Sequence, residues 1–127
     1  MLNKLQKSIY DLLNNQTDIE FQNITGIFNY VDKNTKLPYI YFQINNIQNK
    51  SNYTTNLFLC NLSISVFDKN TSSNFIFDIM EKIKDIISNF ENDIIIDSKY
   101  ISSNISIDIP NIIIKGEIIF DLILKEK

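Results

Sequence analysis

Histidine, arginine, alanine and tryptophan are absent from this chain, and it holds only two glycines, two prolines and one cysteine. Without histidine there is no Ser-His-Asp or Cys-His pair to activate a nucleophile, and no His-containing metal site. Two glycines cannot build a P-loop or a GxGxxG turn. The twelve lysines are scattered, the net charge is −3, and no arginine is present to grip phosphates in bidentate fashion, so specific nucleic-acid binding is not expected. One cysteine excludes an internal disulfide and makes a reducing cytoplasm the default setting. The first residues, MLNKLQKSIYDLL, are broken by charge too often for a signal peptide, and no apolar run reaches the length of a bilayer span, so no membrane association is expected.

Isoleucine and asparagine are abundant instead, together roughly a third of the chain. Residues with GC-rich codons are the depleted ones, the mark of an AT-rich genome rather than of a mechanism. At 127 residues the chain is expected to form a single domain, residues 1–127, with one core.

Leu2, Leu5, Ile9, Leu12 and Leu13 recur at spacings of three and four and predict an amphipathic helix over 2–14. A polar, turn-rich stretch closes at Gly26, and a short strand is expected over Ile27 to Val31, followed by the turn Asp32-Lys33-Asn34-Thr35. Leu37 precedes Pro38 and is pushed towards an extended conformation, so the proline starts a strand and sets its entry. Beyond it Ile40, Phe42 and Ile44 share one face, and Tyr39, Tyr41 and Gln43 the other. Residues 45–56 are polar and Asn-rich and read as a long, mobile hairpin loop.

Phe58, Cys60, Leu62, Ile64 and Val66 then alternate with Asn61, Ser63 and Ser65. A turn over 68–73 offers helix-capping residues, and a second helix is expected to run to about Phe90, with Ile76, Met80, Ile83, Ile87 and Phe90 inward. Ile101, Ile105, Ile107 and Ile109 alternate with polar residues up to Pro110-Asn111. Ile112, Ile114, Ile118, Phe120, Leu122 and Leu124 share the buried face of a last strand. A hairpin symmetric about Pro110-Asn111 sets Ile107 opposite Ile114, Ile105 opposite Gly116 and Ile101 opposite Phe120. Proline cannot take the positive φ of the favoured two-residue turns, so a four-residue loop in the same register is expected. The order helix, strands, helix, strands predicts an α+β fold. It is a two-layer sandwich, a mostly antiparallel sheet of about four to six strands with both helices on one face.

Carboxylates are the remaining source of catalysis. Asp78, Glu81 and Asp85 share a helix face with Lys82 and Lys84, which reads as a solvated surface. Glu117 and Asp121 lie about 13 Å apart along a strand, too far for a dyad or one metal ion. Cys60 sits mid-strand among apolar residues and reads as core. No catalytic residue, metal ligand or cofactor site is assigned. The second sheet face is more informative, because Tyr39, Tyr41, Phe67, Ile113, Ile119 and Ile123 all fall on the side away from the helices. Two coverings fit a set of that size: another chain, or this chain's own long loop and first short strand.

The helix LQKSIYDLL, the segments GIFNYV and LPYIYFQI, the run SISVFDKNTSSNFIFDIMEKIKDII and the final GEIIFDLIL follow one another in an order that resembles the tail terminator, or tail completion, family of tailed bacteriophages and gene transfer agents. The resemblance spans nearly the whole chain. It departs in composition, since family members carry more Ala, Gly and Arg. It implies a non-enzymatic virion protein, made in the bacterial cytoplasm, that assembles as a hexameric ring at the head–tail junction. The implied partners are other copies of itself, the tail tube protein and the head–tail connector, with no cofactor. In such a ring Tyr39, Tyr41, Phe67, Ile119 and Ile123, with Tyr53 on the 45–56 loop, are the candidate contacts to a sister subunit or the tube. A small α/β module that binds a ligand or peptide without forming a ring is the alternative.

Overall fold

The computed structural model describes residues 2–16, 24, 26–28, 36–52, 54–69, 74–108, 110 and 112–126. Helix α1 (Leu2–Asn14) is followed by strands β1 (Ile27–Phe28), β2 (Tyr39–Asn49) and β3 (Leu57–Lys69). Helix α2 (Asn74–Ser88) and strands β4 (Ile95–Asp108) and β5 (Ile113–Lys125) complete the order. The five strands form one sheet in the order β1-β2-β3-β5-β4. All its pairings are antiparallel except β1 with β2, where Ile27 and Phe28 run parallel to Ile40 and Tyr41.

The period-two pattern of the strands decides which face is dry. On β5, Ile114, Gly116, Ile118, Phe120, Leu122 and Leu124 are buried, while the residues between them are half-buried. Register carries that face across the sheet, setting Phe120 against Leu62, Ile118 against Ile64 and Leu122 against Cys60. It continues from Ile64 to Phe42 and from Val66 to Ile40. Both helices close over this face: Leu5, Ile9 and Leu13 of α1 and Ile76, Ile79, Ile83 and Ile87 of α2 belong to the same core and are essentially inaccessible. Truncating any one of these to alanine removes contacts worth about 2–5 kcal/mol.

Local chemistry ends each helix. The Asn15 amide bonds to the Asp11 carbonyl, and the Gln16 side chain donates to the Leu12 carbonyl at 2.7 Å, which satisfies carbonyls left open at the end of α1. After α2 the Asn89 side chain donates to the Asp85 carbonyl at 2.8 Å. Asn92 then redirects the chain, its Oδ1 accepting from the amides of Ile94 (2.9 Å) and Ile95 (2.7 Å). Its amide nitrogen donates to Ser8 Oγ at 3.1 Å, so one side chain joins the start of β4 to α1.

Several expectations change. The strand before the first hairpin does not stop at Ile44: a bulge there absorbs one residue, and pairing resumes from Asn46↔Asn61 to Asn49↔Phe58. The loop therefore shrinks to residues 50–56. Asparagines also tie it down, Asn49 Oδ1 accepting from the Ser51 amide and Asn52 Oδ1 from the amides of Thr54 and Thr55. Helix α2 stops at Ser88, with Phe90 only half-buried and Ile79 on the inner stripe in its stead. The 109–112 loop has the expected four residues, with Asp108↔Ile113, Ile107↔Ile114 and Ile105↔Gly116 in the expected register. A bulge between Tyr100 and Ser102 then shifts the pairing, so Tyr100 rather than Ile101 faces Phe120.

Ile101, Ile105 and Ile107 are exposed rather than buried, because β4 is the sheet's outer strand. Ile112, expected on the buried face, stands in the turn at φ 53° and is exposed, a backbone region in which a β-branched side chain is strained. The 70–73 capping residues, the 29–35 segment and most of 17–25 lie outside the described residues.

Gly116 marks the closest approach of the two layers. A Cβ there would meet Met80 Sδ and lie 2.8 Å from Ile76 Cγ2, so α2 seats on β5 where a side chain is missing. Gly116→Val is expected to lower unfolding free energy by about 1–3 kcal/mol, or more if the helix must lift. Chemical denaturation followed by circular dichroism measures it, and an unchanged midpoint would contradict this packing.

Candidate interaction surface

The face opposite the helices is built from five cross-strand rows. They run Tyr39–Phe67–Lys115–Ser106, Tyr41–Ser65–Glu117–Asn104, Gln43–Ser63–Ile119–Ser102, Asn46–Asn61–Asp121–Lys99 and Gln48–Leu59–Ile123–Asp97. No described element packs over it, so its covering, if it has one, comes from outside the described residues. Of the candidate contacts, Tyr39 and Phe67 stack at 4.9 Å between ring centroids, and Tyr41 stands one row away. Ile119 lies in the middle row and Ile123 at the far end, separated by the polar row of Asn61 and Asp121. Ile113 extends the face beyond Tyr39. Tyr53 lies outside the described residues. The structure therefore gathers the aromatic candidates at one end and distributes the isoleucines among polar groups.

Neighbours shield this surface from within. Ser65, flanked by Tyr41 and Glu117, is 2% exposed, and Ser63, flanked by Gln43 and Ile119, is 6% exposed. Of the larger side chains around them, Tyr41, Glu117 and Ile119 are half-buried and Gln43 is exposed. Polar contacts stitch the rows together: Lys115 pairs with Glu117 at 3.6 Å, Asn104 donates to Glu117 Oε1 at 3.4 Å, and Asn61 donates to Asp121 Oδ1 at 3.2 Å. The Lys115 ammonium also lies 5.8 Å from the Phe67 ring centroid. A half-apolar surface on which Lys115, Glu117, Asn61 and Asp121 are already paired suits docking of another protein better than chemistry.

Sequence reasoning missed a second surface, along the seam of α2 and β4. Phe77, Ile105 and Ile107 stand exposed there, beside a groove of about 270 Å³ lined by Phe77, Met80, Lys84, Tyr100 and Ile105 among others. Tyr100 packs edge-on against Phe120 at 6.2 Å, bonds Ser103 Oγ through its hydroxyl at 2.7 Å, and carries the Lys84 ammonium 4.4 Å above its ring. The alternating isoleucines of β4 look like core in the sequence. Only their place on the outer strand exposes them.

Among the described residues no three His, Cys, Asp or Glu side chains cluster to hold a metal ion, and no helix is long and apolar enough to cross a membrane. Burial, with the Asp121 carboxylate adding to it, pushes the Cys60 thiol up to about 11 from 9.0. A thiol so held stays protonated and unreactive at neutral pH.

The chain matches no protein-family model and no curated protein sequence. Among solved structures, a chain of the "Virion of native gene transfer agent (GTA) particle" superposes with a TM-score of 0.82. The match covers 96% of this chain and 95% of that chain, at 11% identity. The likeness is one of fold, over nearly the full length of both chains.

Cys60 is expected to resist thiol reagents at pH 8 in the native protein and to react at once in denaturant. Between pH 9 and about 11 the unfolded chain loses the thiol proton while the folded chain keeps it, so this thiol's contribution to stability falls as pH rises through that window. Native labelling at the rate of a free thiol would contradict its burial.

Proposed function

We propose that this chain is a structural subunit of a phage-like or gene transfer agent virion. It caps the head-proximal end of the tail tube as a hexameric ring, ends tube growth and offers the docking surface for the head connector. The observation that carries the reading is the full-length fold likeness to a chain of a gene transfer agent virion. The likeness in order between this chain's segments and the tail terminator family supports the same role. A fold alone does not assign a function, so the weight rests on the two agreeing.

The subunit's physics fits ring assembly. Helices cover one side of the sheet only, and the other side presents stacked Tyr39 and Phe67 beside polar groups. A closed ring needs two different patches on each copy, and the open sheet face and the α2–β4 seam are two such patches. A net charge of −3 and the absence of arginine suit a collar through which DNA passes without being gripped. A ligand-binding module would need space between sheet and helices, yet Phe42, Leu62, Ile64, Ile83 and Phe120 fill the interlayer and are at most 2% exposed.

Size-exclusion chromatography with light scattering, alone and with the tube protein of the same particle, tests the reading. Wild type is expected to form a hexamer and to arrest elongation of growing tubes. Tyr41→Asp is expected to remain folded by circular dichroism, to lose the ring and to let tubes lengthen. Tubes whose lengths ignore the wild-type protein would overturn the reading, and a ring unaffected by Tyr41→Asp would remove Tyr41 from the contact.

A further inference from the structure

Both outer edges of the sheet share an unusual property. β4 is unpaired by any described strand on its far side, and its residues 100–107, Tyr-Ile-Ser-Ser-Asn-Ile-Ser-Ile, carry no charge and no proline. On the opposite side β1 covers only Ile40 and Tyr41 of β2. The next residues, 42–49, Phe-Gln-Ile-Asn-Asn-Ile-Gln-Asn, are likewise free of charge and proline, and no described strand pairs with their outer side. Proteins that stay monomeric place lysine, proline or inward charge on such edges, because open strand edges recruit other chains. Here the charges of β4, Asp97, Lys99 and Asp108, flank the uncharged stretch, and Lys115, Glu117, Asp121 and Lys125 sit on β5, which is paired on both sides.

Strand direction supplies the second argument. β2, β3, β5 and β4 alternate in direction across the sheet, so β2 and β4 run opposite ways. Copies related by rotation about a ring axis keep their strand directions along that axis. The β4 of one copy therefore meets the β2 of the next in antiparallel sense, and the alternation continues unbroken around the ring. A sheet whose two outer strands ran the same way would meet its neighbour in the less stable parallel pairing. β2 also carries a bulge between Ile44 and Asn46, and β4 carries two, between Ile95 and Asp97 and between Tyr100 and Ser102, and bulges bend a sheet as closure requires.

We infer that the copies join edge to edge, the outer edge of β4 over residues 102–107 pairing with the outer edge of β2 over residues 42–49 of a second copy. This rests on the ring reading and deepens it: main-chain hydrogen bonds close the ring, and the apolar seam at Phe77, Ile105 and Ile107 comes under the neighbour's helical layer. Tyr41, on β2 next to that edge, then lies at the junction between copies, and the rest of the open sheet face turns towards the ring's interior or the tube.

Paired cysteines test the geometry. Asn104 and the three residues Gln43, Asn46 and Gln48 all lie on the sheet face away from the helices, so a disulfide can form across an antiparallel junction once their Cα atoms come within about 7 Å. Asn104→Cys is combined in turn with Gln43→Cys, Asn46→Cys or Gln48→Cys, oxidised, and run on a non-reducing gel. One combination is expected to give a ladder of multimers, and the other two little. The charged edge variant Ile105→Lys/Ile107→Lys, at exposed positions, is expected to keep the monomer's circular dichroism spectrum and weaken ring formation at least tenfold. Rings that form without any ladder and tolerate both lysines would overturn edge pairing while leaving the ring reading intact. A disulfide dimer from Asn104→Cys alone would show β4 pairing with β4 and overturn it too. Absence of a wild-type ring, with and without tube protein, would remove the ring reading and this inference together.

Discussion

Strand β5 is paired along its whole length, with β3 on one side and β4 on the other, and it carries the seat of α2 at Gly116. Its strict alternation divides the molecule into a dry side and an open side. Each even-numbered residue from Ile114 to Leu124 enters the core, and each odd-numbered one faces the open side. A shift by one residue would put Lys115, Glu117 and Asp121 under the helices at the cost of burying unpaired charge. The alternation is therefore held by penalties on both faces, and the registers of β3 and β4 follow from it.

Among the described residues the same alternation keeps polar side chains out of the interior. Polar side chains on β5 point to the side that no described helix covers, where they pair with asparagines and with one another. The interior receives almost nothing but isoleucine, leucine and phenylalanine, plus a cysteine whose burial suppresses its chemistry. The molecule instead offers a partly shielded open face, an apolar seam beside α2 and strand edges with uncharged stretches over residues 42–49 and 100–107.

Much of this was legible in the residues. The helical stripes of Leu5, Ile9 and Leu13 and of Ile76, Ile83 and Ile87, and the alternation of β2, β3 and β5, read correctly because burial on one face leaves a periodic record. The registers of Ile107 with Ile114 and Ile105 with Gly116 followed from the turn at Pro110. The three bulges were not legible. A bulge depends on what lies across the strand, and none of Asn45, Ile96 and Ile101 advertises that it will be the extra residue. Tyr39, Tyr41, Phe67, Ile119 and Ile123 share the sheet face away from the helices, as the alternation predicted, but the division of that face by the Asn61–Asp121 row needed the cross-strand alignment.

By itself, then, the chain determined its local periods, its two-layer class and the face each strand buries, since those depend on the spacing of apolar residues along one segment. Strand order was decided only in three dimensions. Placing β4 at the margin exposed isoleucines that look like core, and placing β5 between two partners buried the same pattern fully. Identical alternation had opposite fates because burial depends on how many neighbours a strand has, and that number is a property of the assembled sheet.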